Sequence, residues 1–129
     1  DSIADAIAAA VTARRVPHVV LLSAAAAVLA KGNGPGKDLH YAETALRKAG
    51  TNLTAIRASY FQENVLSALP AAQHEGVYPN FLPSADAAMP ILATRDIGRL
   101  AARCLLEPPT KSEVIDLVGA LQVGAAQQL

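Results

Sequence analysis

Apolar residues recur along the chain with two different spacings, and these spacings predict alternating helices and strands. Ile3, Ile7 and Val11 are four residues apart, which places them on one stripe of a helix that ends before Pro17. The next segment, HVVLLS at residues 18–23, is apolar on both faces. Such a short, fully apolar run is typical of a strand buried inside a parallel sheet.

The middle of the chain repeats this order. A glycine-rich stretch, KGNGPGKD at residues 31–38, leads into a predicted helix over residues 37–49, which Gly50 ends. The segment NLTAIRAS at residues 52–59 is predicted to be a second strand. A helix therefore connects the first two strands.

Residues 60–76 predict another helix, which is kinked or ended near Pro70. Turn-forming residues dominate residues 77–90, so this segment is predicted to be a long loop with a short strand or two. The next helix has Thr94 as its predicted N-cap. Its inward-facing residues are Ile97, Leu100, Ala101 and Cys104.

The segment EVIDLVG at residues 113–119 predicts a third strand, and the last ten residues are predicted to begin a further helix. Every connection between strands contains a helix, which indicates a doubly wound, mainly parallel α/β sheet of the Rossmann-like class. Three strands make a small sheet. We therefore expect residues 1–129 to form a single domain that is the C-terminal part of a larger fold, with a short substrate-side region around residues 60–93.

Charge and cysteine content narrow the classes of partner. Eleven basic residues balance eleven acidic ones, and no block of like charge exceeds two residues, so no electrostatic footprint for nucleic acid or an anionic membrane is present. No apolar run reaches the roughly 20 residues of a membrane-spanning helix. Cys104 is the only cysteine, which excludes a disulfide within the chain. We expect a cytoplasmic protein with no nucleic-acid or membrane partner, in which Cys104 is a buried, inert thiol.

Common phosphate, metal and hydrolase motifs are missing. In KGNGPGKD, Lys31 occupies the place of the first Walker glycine and Asp38 that of the magnesium-binding hydroxyl, so a mobile linker or lid is the better interpretation. The three histidines, including His40, are too scattered to place two ligands on one helix face, and we expect no metal site. Ser23 ends a buried strand, where it either faces a ligand or simply caps backbone groups.

The helix that contains LHYAETALRKAG raises the question of a catalytic tyrosine. A Tyr-x-x-x-Lys pair lies on one helix face, and the ammonium can lower the pKa of the phenol. Position i+4 from Tyr41 is Ala45, and Lys48, at i+7, lies about 10 Å from Tyr41 along the helix axis. The spacing therefore excludes Tyr41 as the proton donor. Glu43 and Arg47 are predicted to form a solvent-side i,i+4 pair.

Three blocks, VPHVVLLSAAA, HYAETALRKAGTNLTAIRASYFQEN and ILATRDIGRLAARCLLEP, together resemble the NmrA-like family of atypical short-chain dehydrogenase/reductases. The similarity covers about residues 2–119, with the blocks in the family's order. The resemblance implies an NAD(P)-binding Rossmann-like fold whose glycine-rich dinucleotide loop lies on the first strand, N-terminal to everything present here. The fold is thus expected to be incomplete, lacking its N-terminal dinucleotide-loop half.

The resemblance also implies site residues. Ser23 matches the dehydrogenase serine at the strand end facing the nicotinamide, and His40 matches the histidine that often replaces the catalytic tyrosine. In IRASYFQEN, Ala58 and Ser59 replace the family's Pro-Gly in the turn against the nicotinamide ring, and Asp96 is expected to anchor a helix start. The implied catalytic residues are His40 and Ser23. The implied cofactor-binding residues are Ser23, Ala24, His40, Ala58, Ser59 and Tyr60, and the implied substrate-side residues are Phe61 and Asn64.

Two functions follow as expectations. The first is hydride transfer from NAD(P)H, with NADP favoured over NAD, to a small electrophile such as a quinone, the proton coming from water or His40. The second is a non-catalytic NAD(P) sensor that acts through a protein partner, which the missing Tyr-Lys pair favours. The cofactor would be bound mainly by residues outside this chain, so the 129 residues alone are expected to bind NADPH no tighter than millimolar. A homodimer is one assembly compatible with this class.

Overall fold

Three parallel strands in the order β1-β2-β5 form the main sheet. They are β1 (His18–Ala24), β2 (Asn52–Ala58) and β5 (Glu113–Leu117). The protein is seen in a computed structural model that describes residues 3–32, 34–79, 87–120 and 122–123. The predicted class is confirmed at this level: the chain is an α/β protein with a small, mostly parallel, open sheet.

Helices cover both faces of this sheet. The described residues form α1 (Ile3–Arg14), α2 (Gly36–Lys48), α3 (Val65–Glu75) and α4 (Thr94–Leu106). Leu53 and Ala55 of β2 pack on one face against α1 and α2, through Val11 and Leu46. Ile56 packs on the other face against α4, and this alternation follows from the two-residue period of a strand.

The central strand is β2, and this corrects the expectation for residues 18–23. Leu53, Ala55 and Ile56 have no exposed surface, as predicted for a fully buried parallel strand. Strand β1, in contrast, pairs only with β2 among the described strands, and Leu22 is 47% exposed. A largely apolar strand therefore lies at the edge of the described sheet.

One predicted helix feature differs in the structure and another is confirmed. In α1 only Val11 of the predicted stripe is buried, while Ile3 and Ile7 are exposed, because α1 meets the core near its C-terminal end. Helix α2 ends as predicted before Gly50, whose φ of 78° is a left-handed conformation that favours glycine.

A second, smaller sheet replaces part of the predicted helix and loop. It consists of β3 (Tyr60–Phe61), β4 (Met89–Leu92) and β6 (Gln122–Val123), with β3 parallel and β6 antiparallel to β4. The predicted helix over residues 60–76 therefore starts only at Val65, after β3 and a 3-10 turn, and continues past Pro70. The short strand expected within residues 77–90 is present as β4, although residues 80–86 lie outside the described part.

The end of the chain also departs from expectation. Residues 122–123 form a strand rather than the start of a helix, and residues 124–129 are outside the described range. Gly119 passes so close to the carbonyl oxygen of Ile91 that any side chain there would collide with it. Glycine at this position therefore allows the segment after β5 to run against β4.

Helix α4 begins differently from the prediction. Ala93, not Thr94, is the N-cap residue, and the Thr94 N–H donates to both carboxylate oxygens of Glu63, at 3.0 and 3.1 Å. This hydrogen bond lowers the pKa of Glu63. The predicted inward face is confirmed, since Ile97 and Cys104 are buried and Leu100 and Ala101 pack against the core.

Two predicted minor features can be located as well. Cys104 is a free, buried thiol on α4. Asp96 lies in the first turn of α4, as expected, where it is exposed and pairs with Arg99 at 3.4 Å.

No helix among the described residues is long and apolar enough to cross a membrane.

Candidate functional site

An open cleft of about 460 Å³ lies beyond the carboxyl ends of β1 and β2. Its lining residues are Ala24, Ala25, Ala26, Ala58, Ser59, Tyr60, Phe61, Asn64, Met89 and Pro90. In open parallel sheets, ligands bind at this edge, because the loops that follow the strands converge there. The cleft is therefore the candidate functional site.

The course of the backbone explains the composition of the cleft. Strand β1 ends at Ala24 and continues into a 3-10 turn, Ala25–Val28, so three successive alanines form one wall. Strand β2 ends at Ala58 and turns through Ser59 into β3, whose Tyr60 and Phe61 also line the cleft. Four alanines, Phe61, Met89 and Pro90 make the lining largely apolar.

Most of the residues predicted from the family resemblance meet in this cleft. Ala24, Ala58, Ser59, Tyr60, Phe61 and Asn64 are all among its lining residues. Ser23 and His40 are not, and each has a hydrogen-bond partner elsewhere. Their catalytic roles stay predictions, and the structure gives each of them a defined neighbour.

Ser59 has the one buried side-chain polar atom in the described part of the chain that makes no hydrogen bond. Its backbone is held, because the Ser59 N–H donates to the carbonyl oxygen of Leu117 at 3.0 Å. Leaving a buried hydroxyl unsatisfied costs about 1–3 kcal/mol. Since Ser59 also lines the cleft, its unsatisfied hydroxyl marks a place where a ligand atom could provide the missing partner.

Ser23 points to the opposite face of the sheet from the cleft-lining Ala24. Its side chain is buried, and its hydroxyl donates to Oε1 of Glu43 at 2.7 Å. Neighbouring residues of a strand face opposite sides of the sheet, which explains why Ala24 reaches the cleft and Ser23 does not. The hydroxyl caps a carboxylate rather than the backbone group considered from the sequence.

Glu43 is the main correction to the sequence analysis. It was predicted on the solvent side of α2, but its side chain is only 1% exposed and faces the sheet. Arg57 of β2 donates to it twice, from Nε at 3.0 Å and from a terminal nitrogen at 2.8 Å. Arg47 donates from the rim at 3.3 Å, so the predicted i,i+4 contact exists as a minor part of a larger network.

A sequence signal for this network was present at Arg57. It is the one charged residue in the otherwise uncharged strand segment NLTAIRA, and a charge on a central strand requires a nearby counter-charge.

The network also shifts the pKa values of its members. Burial alone would raise the pKa of Glu43, but the hydrogen bonds and charge of Arg57, the Ser23 hydroxyl and the charge of Arg47 together lower it. The Glu43 hydrogen bond in turn raises the pKa of Arg57.

His40 supports the alanine wall from behind. Its Nδ1 lies 2.8 Å from the carbonyl oxygen of Ala27, and because a carbonyl only accepts, Nδ1 carries the hydrogen. Ala27 directly follows the three cleft-lining alanines and is fully buried. The contact therefore connects α2 to the turn that forms one side of the cleft.

Tyr41 lies on α2, is not among the residues that line the cleft, and directs its hydroxyl toward α1. It donates to Oδ1 of Asp5 at 2.6 Å, and Tyr41 is 49% exposed. We expect Tyr41→Phe to leave any turnover by this protein unchanged and to lower stability by at most about 1 kcal/mol, the net value of an exposed hydrogen bond. Steady-state rates and urea midpoints measured on both proteins test this. A large loss of turnover at unchanged stability would show that Tyr41 is a catalytic residue.

The described residues contain no group of three or more histidine, cysteine, aspartate or glutamate side chains arranged to hold a metal ion. His18 instead interacts through Nε2 with Thr54 Oγ1 at 3.0 Å.

No protein-family model matches the chain, and no curated protein matches it. The fold and the cleft therefore define the class on their own: an α/β protein with an open, mostly parallel sheet and an apolar cleft at its carboxyl edge.

Proposed function

We propose that this chain is part of an NAD(P)-binding, NmrA-like oxidoreductase with an incomplete Rossmann-like fold. It would catalyse hydride transfer from NAD(P)H to a small electrophile such as a quinone. The observation that carries the proposal is the cleft: an apolar slot at the carboxyl edge of a parallel sheet, the position at which α/β proteins bind nucleotides. Six of the residues expected from the resemblance line it.

The lining suits the nicotinamide end of the cofactor. A nicotinamide ring is flat, and the small alanine side chains of the lining would allow such a ring to approach closely. Its carboxamide could provide the partner that the Ser59 hydroxyl lacks. The described residues include no glycine-rich turn directly after a strand, so the fit concerns this end of the cofactor alone.

A reduced nicotinamide supplies the hydride when it is bound. The residues of this chain would exclude water with the alanine wall, place the acceptor between Phe61 and Asn64, and hold the wall in position through His40. Reduction of a quinone also consumes a proton. Apart from the phenol of Tyr60, the lining residues carry no acid, histidine or lysine, and in this proposal the proton comes from water or reaches the site by way of His40.

Turnover with a panel of quinones tests the proposal. The longest natural polypeptide that contains this sequence should oxidise NADPH or NADH when a quinone is present. Ala25→Leu, which fills the cleft, should lower kcat/KM by about 10²-fold by misplacing the reactants, whereas the matched control Ala10→Leu on exposed α1 should not. Tight cofactor binding without oxidation by any acceptor would refute the oxidoreductase.

A non-catalytic NAD(P) sensor is the second candidate, and the observation that favours it concerns Ser23. Its hydroxyl is engaged with buried Glu43, and Tyr41 has no lysine at i+4 and donates its own hydroxyl to Asp5 of α1, so Tyr41 forms no Tyr-Lys pair. In a sensor, cofactor binding would change the conformation read by a protein partner. Size-exclusion chromatography and partner titrations with and without cofactor test this, and identical results in both would exclude it.

A further inference from the structure

The cleft combines two properties that together specify its ligand. All ten lining residues have uncharged side chains, and seven of them are alanine, phenylalanine, methionine or proline. A charged ligand group placed there would give up part of its hydration without gaining a counter-charge, which is unfavourable. The lining therefore discriminates against carboxylate, sulfonate and phosphate groups.

Ser59 adds a specific polar requirement. Its hydroxyl is the buried group without a partner described above, and its backbone is fixed to Leu117. A serine side chain has three staggered χ1 wells, so a rotation of about 120° redirects the hydroxyl without moving the backbone. A ligand carbonyl in the cleft would accept the hydrogen bond that the protein does not provide.

We propose that Ser59 is the specificity-determining residue of the cleft and that it selects a flat, uncharged ligand with a ring carbonyl or carboxamide. This inference rests on the proposed function, because the two sources of such a group are the quinone substrate and the nicotinamide. In both cases the hydroxyl donates to a neutral oxygen while the alanines and aromatic residues of the lining contact the ring. The cleft thereby recognises the flat shape of the ligand and the one carbonyl oxygen that accepts a hydrogen bond from Ser59.

Two matched pairs of probes test the selection and distinguish its source. 1,4-Naphthoquinone is compared with its 2-sulfonate, and nicotinamide with nicotinate, by equilibrium titration of the longest natural polypeptide containing this sequence. The neutral member of at least one pair should bind at least tenfold more tightly than its anion. The pair that shows the preference identifies the ligand. Equal binding of neutral and anionic members in both pairs would overturn the proposal.

Variants of Ser59 separate ligand recognition from folding. Ser59→Ala should weaken binding of the preferred neutral probe by about three- to tenfold, the value of one hydrogen bond, while the urea midpoint stays equal or rises because an unsatisfied hydroxyl is removed. Ser59→Gly deletes the same hydroxyl and replaces the alanine variant if that one does not fold. Unchanged binding in a folded variant would overturn the role of Ser59.

Ser112→Ala is the matched control at the other edge of the sheet. The Ser112 hydroxyl accepts a hydrogen bond from the backbone N–H of Leu53 at 3.0 Å, so its removal should lower the urea midpoint and leave probe binding unchanged.

The proposed oxidoreductase function and the proposed role of Ser59 can fail separately. Neutral-selective, Ser59-dependent binding without NADPH oxidation would refute the oxidoreductase alone, and NADPH oxidation with unchanged probe binding in Ser59→Ala would refute only the role of Ser59.

Discussion

Glu43→Gln is expected to lower the free energy of unfolding by about 3–5 kcal/mol, because it removes one partner of a buried ion pair and leaves the other uncompensated. Glu43 is 1% exposed and Arg57 is 15% exposed, so the guanidinium would lose its carboxylate with little access to water. The two hydrogen bonds from Arg57 and the bond from Ser23 also lose their charged acceptor. Urea denaturation at neutral pH measures the loss.

A double variant distinguishes the loss of the pair from the loss of one partner. Glu43→Leu with Arg57→Leu replaces both charges by apolar groups and should recover most of the stability that Glu43→Gln loses, since buried pairs are often replaceable in this way. Arg47→Ala is the control on the same helix. Arg47 is 38% exposed, so its contribution should stay within about 0.5 kcal/mol.

The same pair makes stability depend on pH with a defined sign. The pKa of Glu43 is lowered in the folded protein from an ordinary value of 4.5, so its stabilisation is fully present above that pH. It is lost progressively as the pH falls through the lower, folded-state pKa. The stability of Glu43→Gln should therefore fall less steeply below about pH 4.5 than that of the wild type. Parallel acid slopes for the two proteins would show that Glu43 does not carry this dependence.

Leu53→Ala is expected to lower the free energy of unfolding by about 2–5 kcal/mol through loss of buried apolar surface and the cavity that remains. Leu53 is fully buried in the core between β2 and the helices α1 and α2. The matched control is Leu106→Ala, because Leu106 is 83% exposed at the end of α4 and should change stability by about 0.5 kcal/mol or less. Similar losses for the two variants in urea titrations would contradict the placement of β2 at the centre of the core.

Periodicity along the chain predicted most of the main sheet and its helices. The three strands at residues 18–23, 52–59 and 113–119 and the helix before Gly50 correspond closely to β1, β2, β5 and α2. These elements are long and have apolar runs or clear stops, so local spacing identifies them. The two-residue strands β3 and β6 carry no such signal. They exist because β4 lies between them and provides their hydrogen-bond partners.

The cleft was predictable in part. The resemblance identified the segments that follow β1 and β2, and both line the cleft, because chain direction alone places the ends of parallel strands at one edge. It did not identify Met89 and Pro90, which reach the cleft through the pairing of β4 with β3. Nor did it show that the Ser59 hydroxyl has no partner, since satisfaction of a polar group depends on all its neighbours.

The amino-acid pattern alone therefore established the α/β class, the order of the main elements, and the absence of a Tyr-x-x-x-Lys pair at Tyr41, because each depends on spacing within one segment. Tertiary packing established which face of α2 meets the sheet. It buried Glu43 against Arg57, turned Ser23 away from the cleft, and left Ser59 unsatisfied within it. These outcomes required the three-dimensional arrangement, because a charge or hydroxyl finds its partner on a neighbouring element whose distance in sequence carries no information.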